Sequence, residues 1–258
     1  MNQPVVSLWV GPSLGPIERM SLASFVSHGH PTALYAFDDI AGVPEGVELR
    51  DATSVLSRQV ADAHRYKSGS YALFANLFRL ELQRLGAGMW VDTDVVCYRP
   101  VTLDGPFVVG RESDVYLNNA VLRLAADSPL LADWLAAFSN GRVPPWIPYR
   151  RARTAYFRQL LGRRIAPREL PFGAFGPKAI TALAERHGLM DAVQPEEVFY
   201  PVHPRQALAI WEVGLRLEQV VTERTLTIHL WNKKLDGVKQ RLPEKGSLLD
   251  QLFRMYQV

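Results

Sequence analysis

The segment Gly88-Met89-Trp90-Val91-Asp92-Thr93-Asp94-Val95-Val96 constrains this chain more than any other. Its apolar residues read as a buried strand, and the strand closes on two carboxylates one residue apart. Alternation along a strand projects Asp92 and Asp94 to the same side. Two like charges there are costly unless a cation or several donors face them. Mg²⁺ or Mn²⁺ is the simplest partner, because both prefer oxygen ligands and both bridge to phosphate oxygens. The expected chemistry is therefore metal-assisted, on a phosphorylated substrate such as a nucleotide sugar.

The surrounding pattern predicts an α/β fold. Val5 to Val10 reads as a first strand ended by Gly11-Pro12, and Arg19 to His28 has helical spacing, with Leu22, Phe25 and Val26 on one side. Ala33 to Phe37 reads as a second strand and Val47 to Leu49 as a short third, a β–α–β start that suggests a sheet with crossover helices. Ser70 to Leu85 is the clearest helix: Tyr71, Phe74, Leu77, Phe78, Leu82 and Leu85 form an apolar stripe, with Ser70 as cap and Gly86 as stop. Asn76 and Arg79 are neighbours on that helix. Carboxylates leaving a strand after it fit the rule that such sheets bind ligands at the carboxyl edge of their strands.

Further along, Phe107 to Val109 reads as a strand, and Leu117 to Leu124 as another interrupted by Asn118-Asn119. Helices are expected at Pro129 to Phe138 with Ser128 as cap, at Pro177 to His187 ended by Gly188, and from a Ser247 cap through Tyr256. A late strand is expected over Thr225 to Leu230. No repeat or boundary stands out, so residues 1–258 are taken as a single domain.

The net charge of +3 conceals an asymmetry. Between Asp133 and Glu169 there is no acidic residue, yet eight arginines occur: Arg142, Arg150, Arg151, Arg153, Arg158, Arg163, Arg164 and Arg168. Elsewhere acidic residues outnumber basic ones. The stretch at about 140–170 is expected to be an Arg-rich helical insertion, a lid on the acceptor side or a membrane-facing patch, against the plain alternative of a solvated helix face. The single cysteine, Cys97, rules out an internal disulfide. With no signal-peptide pattern at the start and no run of the ~20 apolar residues that cross a bilayer, the expected location is cytoplasmic, with peripheral contact at the inner membrane face.

The run Ser68-Gly69-Ser70-Tyr71-Ala72-Leu73-Phe74-Ala75-Asn76-Leu77-Phe78-Arg79, followed by Leu85-Gly86-Ala87-Gly88-Met89-Trp90-Val91-Asp92-Thr93-Asp94, resembles an Asp-x-Asp-containing sugar-transferase family. That family includes initiating α-mannosyltransferases of yeast type and bacterial capsule and polysaccharide enzymes. The run is also distantly similar to the glucosylating domains of large clostridial toxins. Leu8-Trp9-Val10-Gly11, Leu117-Asn118-Asn119-Ala120-Val121, Phe175-Gly176-Pro177 and His229-Leu230-Trp231-Asn232 resemble further family segments in order. Two positions depart from the pattern: Asn76 stands where the family usually has Asp, and Ala87 where it usually has a second Gly.

The resemblance implies a GT-A fold, a Rossmann-like nucleotide-sugar-binding mixed sheet flanked by helices. It also implies a metal-dependent retaining glycosyltransferase with a UDP- or GDP-type donor and a glycan, lipid-linked or small-molecule hydroxyl acceptor, in polysaccharide or glycoconjugate synthesis. Asp94 would bind Mn²⁺ or Mg²⁺ directly, while Asp92 would contact ribose, sugar or a metal-bound water. His229 is the candidate third ligand. Arg79 would reach the diphosphate or the donor sugar by charge-assisted hydrogen bonds. Trp9 and Gly11 would border the base. Asn76, Asn118 and Asn119 would offer amides to sugar hydroxyls. Trp231 and Asn232 would close over the donor, with Lys233 or Lys234 near phosphate. Trp9 and Trp231 are equally readable as core aromatics, and the two asparagines as a plain turn.

Two readings compete. One is a sugar-nucleotide or glycan-binding protein without turnover. The other is a haloacid-dehalogenase-type phosphatase, whose first motif the Asp-x-Asp strand fits but whose downstream acidic pair finds only Glu196-Glu197. Nucleic acid is not expected as a partner.

Overall fold

The computed structural model describes residues 2–239 and 241–257. In chain order, β1 (Val5–Leu8), α1 (Pro16–Ser27), β2 (Thr32–Ala36), β3 (Val47–Asp51), α2 (Arg58–Ala63), α3 (Ala72–Arg84), β4 (Met89–Val91), β5 (Val95–Cys97), β6 (Phe107–Arg111) and β7 (Leu117–Leu124) build the first half. There follow α4 (Pro129–Ser139), α5 (Arg153–Leu160), α6 (Pro177–Arg186), α7 (Glu196–Phe199), α8 (Leu217–Val220), β8 (Thr227–His229) and α9 (Leu248–Met255). The mixed α/β architecture expected from the sequence is what the chain forms.

Six strands make one sheet in the order β3-β2-β1-β4-β7-β6. β3, β2, β1 and β4 are mutually parallel, β7 pairs antiparallel with β4, and β6 pairs antiparallel with β7. Strands covered on both faces must be apolar throughout, and β1, β2 and β4 are buried at every position. Alternation sorts their side chains between two cores. Val6, Leu8 and Trp90 pack with α3, α4 and α6 residues such as Phe74, Trp134 and Ile180. Val5, Met89 and Val91 face the other side, with Ile17 and Phe25 of α1 and Leu249 of α9.

Most expected elements fall within a few residues of their predicted positions. α3 starts two residues after Ser70, whose hydroxyl accepts from the Ala72 N–H at 3.2 Å, and Tyr71 takes the cap position. It ends in a Schellman motif: Gly86 adopts φ +63°, Gly86 N–H donates to Gln83 and Ala87 N–H to Leu82. Ser247 caps α9 by accepting from Asp250 N–H, whereas Ser128 stands at the cap of α4 without a side-chain bond. β7 runs unbroken through Asn118 and Asn119.

The strand carrying the aspartates differs from expectation. β4 stops at Val91, residues 92–94 form a turn, and β5 leaves the large sheet to pair antiparallel with β8 in a second, two-stranded sheet. Asp92 and Asp94 therefore share a side because of this turn and not because of strand alternation. The turn straddles both sheets: Asp92 N–H donates to Ala120 of β7 at 2.8 Å, and Asp94 C=O accepts from Leu230 N–H at 2.9 Å. Serines of α1 cover the other edge of β5, with Ser21 Oγ donating to Val95 C=O and Ser24 Oγ accepting from Cys97 N–H. That cover removes an open strand edge.

The Arg-rich stretch is only partly helical. Tyr149–Arg151 and Pro167–Glu169 are 3₁₀ turns, and α5 alone is α-helical. Ile147, Ala152, Ala155, Ile165 and Leu170 are buried in the same core as α3 and α4, so the stretch is anchored to the body of the molecule.

Candidate active site

A cleft of about 690 Å³ opens where the carboxyl ends of β1 and β4 meet the start of β7 and the end of β8. That volume lies within the roughly 300–1,000 Å³ usual for small-molecule sites. The cleft is lined by Trp9 after β1, by Asn76 and Arg79 of α3, and by the whole turn Asp92-Thr93-Asp94. β7 contributes Asn118 and Asn119, and the C-terminal segment contributes His229, Trp231, Asn232, Lys233 and Lys234. Of the residues singled out from sequence, Gly11 alone is not in the lining. A Cβ built there would lie 3.0 Å from Trp9 Nε1, so its bareness makes room for the indole.

The floor is a polar network. Asp92 Oδ1 lies 2.9 Å from an Arg79 nitrogen and accepts from Trp90 Nε1 at 2.7 Å. Trp90 and Asp92 are two apart, so alternation at the strand end brings them together. Arg79 also donates to the Asn119 carbonyl and lies over the Trp90 ring at 4.7 Å. Its side chain is only 6% exposed. Arg79 thus lines the cleft and clamps Asp92 with part of its guanidinium. Asn76 Oδ1 accepts from Asn119 Nδ2 at 2.9 Å, and Asn118 Nδ2 donates to Glu112 at 2.7 Å.

Asp94 is held differently. Its Oδ2 lies 3.2 Å from His229 Nε2 and accepts from Asn232 N–H at 2.8 Å. Burial alone would raise both carboxyl pKa values. It does so for Asp92, which also faces Asp94, whereas His229 pulls Asp94 below the usual carboxylate range. Burial disfavours the imidazolium of His229, but Asp94 outweighs it and raises the pKa.

Asp92, Asp94 and His229 can each offer a ligand atom, and these lie within 4.8 Å of one another. Two further facts bear on whether a cation fits. Among the described residues, His229 Nδ1 and Asn232 Oδ1 are buried without a hydrogen-bond partner. Orphaned buried polar atoms are costly, so both are open to a group that enters the cleft. Two carboxylate oxygens and an imidazole nitrogen suit a hard or borderline divalent ion. Trp9 Nε1 is a third orphan on the cleft.

Several features of the site escaped the sequence. Trp231 adopts φ +55°, and this left-handed turn aims Asn232 back at Asp94. The Asn232 side chain donates to buried Glu18 of α1 at 2.6 Å, a contact 214 residues apart that no local pattern signals. Tyr200 ties the bulged part of β7, where the β6–β7 register shifts: its hydroxyl accepts from Val121 N–H at 3.0 Å and donates to the Asn118 carbonyl at 3.2 Å. Gly110 is required beside it, because a Cβ there would come within 2.8 Å of the Tyr200 ring. Glu196 and Glu197, the acidic pair the phosphatase reading needs, stand in α7 outside the cleft lining.

Residues 173–256 match the family model described as the alpha 1,4-glycosyltransferase conserved region. The match takes in α6, β8 and the His229-Leu230-Trp231-Asn232 segment. Among similar solved structures is the PaToxG glycosyltransferase, 13% identical, with 74% of this chain and 73% of that chain covered and a TM-score of 0.42. Among curated proteins, none matches. The matched region supplies one wall of the cleft, and it supports the glycosyltransferase class expected from the sequence.

Proposed function

We propose that this enzyme is a divalent-metal-dependent, retaining glycosyltransferase that moves a sugar from a UDP- or GDP-type donor to a hydroxyl acceptor, in polysaccharide or glycoconjugate synthesis. The observation that carries this reading is the Asp92–Asp94–His229 cluster beside the unpartnered His229 Nδ1 and Asn232 Oδ1, on the floor of a donor-sized cleft.

Mn²⁺ or Mg²⁺ held by Asp92, Asp94 and His229 would supply neutralising charge for the departing diphosphate. The chain's own residues do the positioning. Arg79 and the Trp90 N–H hold Asp92 in place, and His229 and the Asn232 N–H keep Asp94 anionic. Such fixed groups need no reorganisation when charge develops. Lys234 is exposed at the cleft and brings positive charge to the pyrophosphate, while Lys233 beside it is paired with Asp236 at 2.5 Å. Trp9 offers an aromatic face to the base, and the network of Asn76, Asn118 and Asn119 borders the sugar. Among the described residues, Asp92 and Asp94 are the carboxylates of the cleft lining, both held by other groups, and the nearby Glu112 is bonded to Asn118. This supports front-side attack over a double displacement, with the leaving phosphate taking the acceptor proton.

A thermal-shift and hydrolysis screen of UDP- and GDP-sugars with Mn²⁺ tests this, comparing wild type with Asp94→Asn. One donor should stabilise wild type in a metal-dependent way and be hydrolysed slowly, and Asp94→Asn should do neither while melting normally. Equal behaviour of the two proteins would refute the assignment. Stabilisation without hydrolysis or transfer would leave a binding protein.

A further inference from the structure

The transferase reading leaves the Arg-rich stretch unused, and none of residues 140–170 lines the cleft. Its surface is unusual. α5 buries Ala155 inward, and the Tyr156 hydroxyl donates to the Ile147 carbonyl at 2.8 Å. The opposite face carries Arg153, Phe157, Leu160 and Leu161, spaced as neighbours on one side of a helix. Leu160 is 83% exposed, Leu161 62%, and Phe157 and Tyr149 60% each. Scattered apolar side chains on a surface are ordinary, but four large ones within 13 residues are a patch.

Cations flank this patch along the chain. Arg150, Arg151, Arg153 and Arg163 are all exposed and form no ion pair among the described residues, whereas Arg158 is paired with Glu169. Arg150 and Arg151 also line a separate hollow of about 600 Å³ with Lys178, Trp146 and Tyr116, and Glu185 is the acidic residue in that lining. Burial, and then the nearby Arg151, depress the pKa of Lys178.

We propose that the outer face of α5 seats this protein on an anionic lipid bilayer, with Phe157, Leu160 and Leu161 entering the headgroup boundary and Arg150, Arg151, Arg153 and Arg163 meeting lipid phosphates. An apolar stripe with a cationic border on a firmly anchored helix is the form of an interfacial anchor. A second copy of the chain docking face to face would set these arginines against each other. A nucleic acid would leave Leu160 and Leu161 with nothing to stack on. The anchor also lies near the chemistry. Tyr66 lines both the main cleft and a second hollow that Thr154, Ala155 and Arg158 of α5 also line.

Sedimentation of the full chain with vesicles tests the proposal without donor or metal, so its failure and failure of the transferase reading are distinguishable. Vesicles of phosphatidylcholine with about 30% phosphatidylglycerol should carry the protein down at about 0.1 M salt and release it at about 0.5 M, while phosphatidylcholine alone should not carry it. Leu160→Ser/Leu161→Ser should weaken binding at least about tenfold. Arg150→Gln/Arg151→Gln/Arg153→Gln should weaken it roughly a hundredfold. Leu242→Ser, which alters an exposed leucine elsewhere, should bind as wild type. Equal binding to both vesicle types, or wild-type binding by both multiple variants, would overturn the proposal. So would a dimer in light scattering that Leu160→Ser/Leu161→Ser abolishes, or tighter binding to single-stranded nucleic acid than to the anionic vesicles.

Discussion

Arg79 is buried, bonded to Asp92 and to the Asn119 carbonyl, and stacked over Trp90. Arg150, Arg151, Arg153 and Arg163 are exposed and form no ion pair among the described residues. At the cleft floor, water is largely excluded, so each charge must be met by a fixed partner, and removing one strands another. On the outer face of α5, water screens each guanidinium, and neutralising one disturbs nothing folded. The same side chain serves as a structural clamp in one region and as a source of field in the other.

The largest expected effect concerns the floor. Asp94→Asn keeps the size of the side chain and its acceptor oxygen but removes the charge that His229 and the Asn232 N–H are arranged to stabilise. Donor turnover should fall by about a thousandfold with little change in melting temperature. Retention of more than about a tenth of wild-type turnover would mean that Asp94 is a structural residue.

Arg79→Met is expected to act chiefly on stability. It leaves Asp92 without its ion pair, and Asp92 keeps only the Trp90 N–H. Breaking such a pair costs about 3–5 kcal/mol where both partners are fully buried, and the 31% exposure of the Asp92 side chain puts the expected loss near the lower end. Urea unfolding measures it. Adding Asp92→Leu to Arg79→Met should recover part of the loss, since no charge is then stranded. A double variant less stable than Arg79→Met would show that the pair itself is not the source of the loss.

How much of this contrast was legible in the sequence depends on distance along the chain. The β–α–β start, α3 and β4 were readable because their apolar periods are local, and Asp92 and Asp94 stood out as charges ending an apolar run. The turn at Thr93 was not readable. Thr93 is β-branched and sits between the apolar runs ending at Val91 and beginning at Val95, so alternation carries through it in the sequence, and only the change of sheets breaks it. Glu18 and Tyr200 were invisible for a related reason, since each acts on residues far away in sequence. Arg79 illustrates a subtler limit. Helical spacing put it on the correct face, but whether it would reach a ligand or be consumed by Asp92 depended on how deeply α3 packs.

His30 provides an intermediate case, a buried group kept neutral. Its Nδ1 faces the Gln3 carbonyl at 3.0 Å, and its Nε2 accepts from Val101 N–H at 3.0 Å, so neither nitrogen can take a further proton without losing a bond. Burial lowers its pKa from the usual 6.5, and nearby His28 adds to this, against the bond to Gln3. The unfolded chain therefore binds more protons than the folded one below pH 6.5. Its stabilising contribution is complete above that pH and is lost as the pH falls. Unfolding midpoints measured between about pH 7.5 and 5 should drop more steeply for wild type than for His30→Gln, which has no proton to gain. Parallel curves would show that His30 does not titrate in this range.

The smallest effect should come from the exposed arginines. Arg153→Gln/Arg163→Gln removes two positive charges that touch no carboxylate and contribute no side chain to either core. Glutamine suits a helix about as well as arginine, so α5 loses no propensity at Arg153. The like charges of Arg150, Arg151 and Arg164 nearby mean that neutralisation relieves repulsion as much as it removes attraction. Stability should shift by less than about 0.5 kcal/mol, and turnover of a water-soluble acceptor should match wild type. A loss comparable with that of Arg79→Met would show that these arginines support the fold, and the contrast between a clamp and a field would fail. An unchanged soluble reaction combined with reduced vesicle binding would separate the two regions in a single variant, because the charges on α5 would then matter only where a surface is present to meet them.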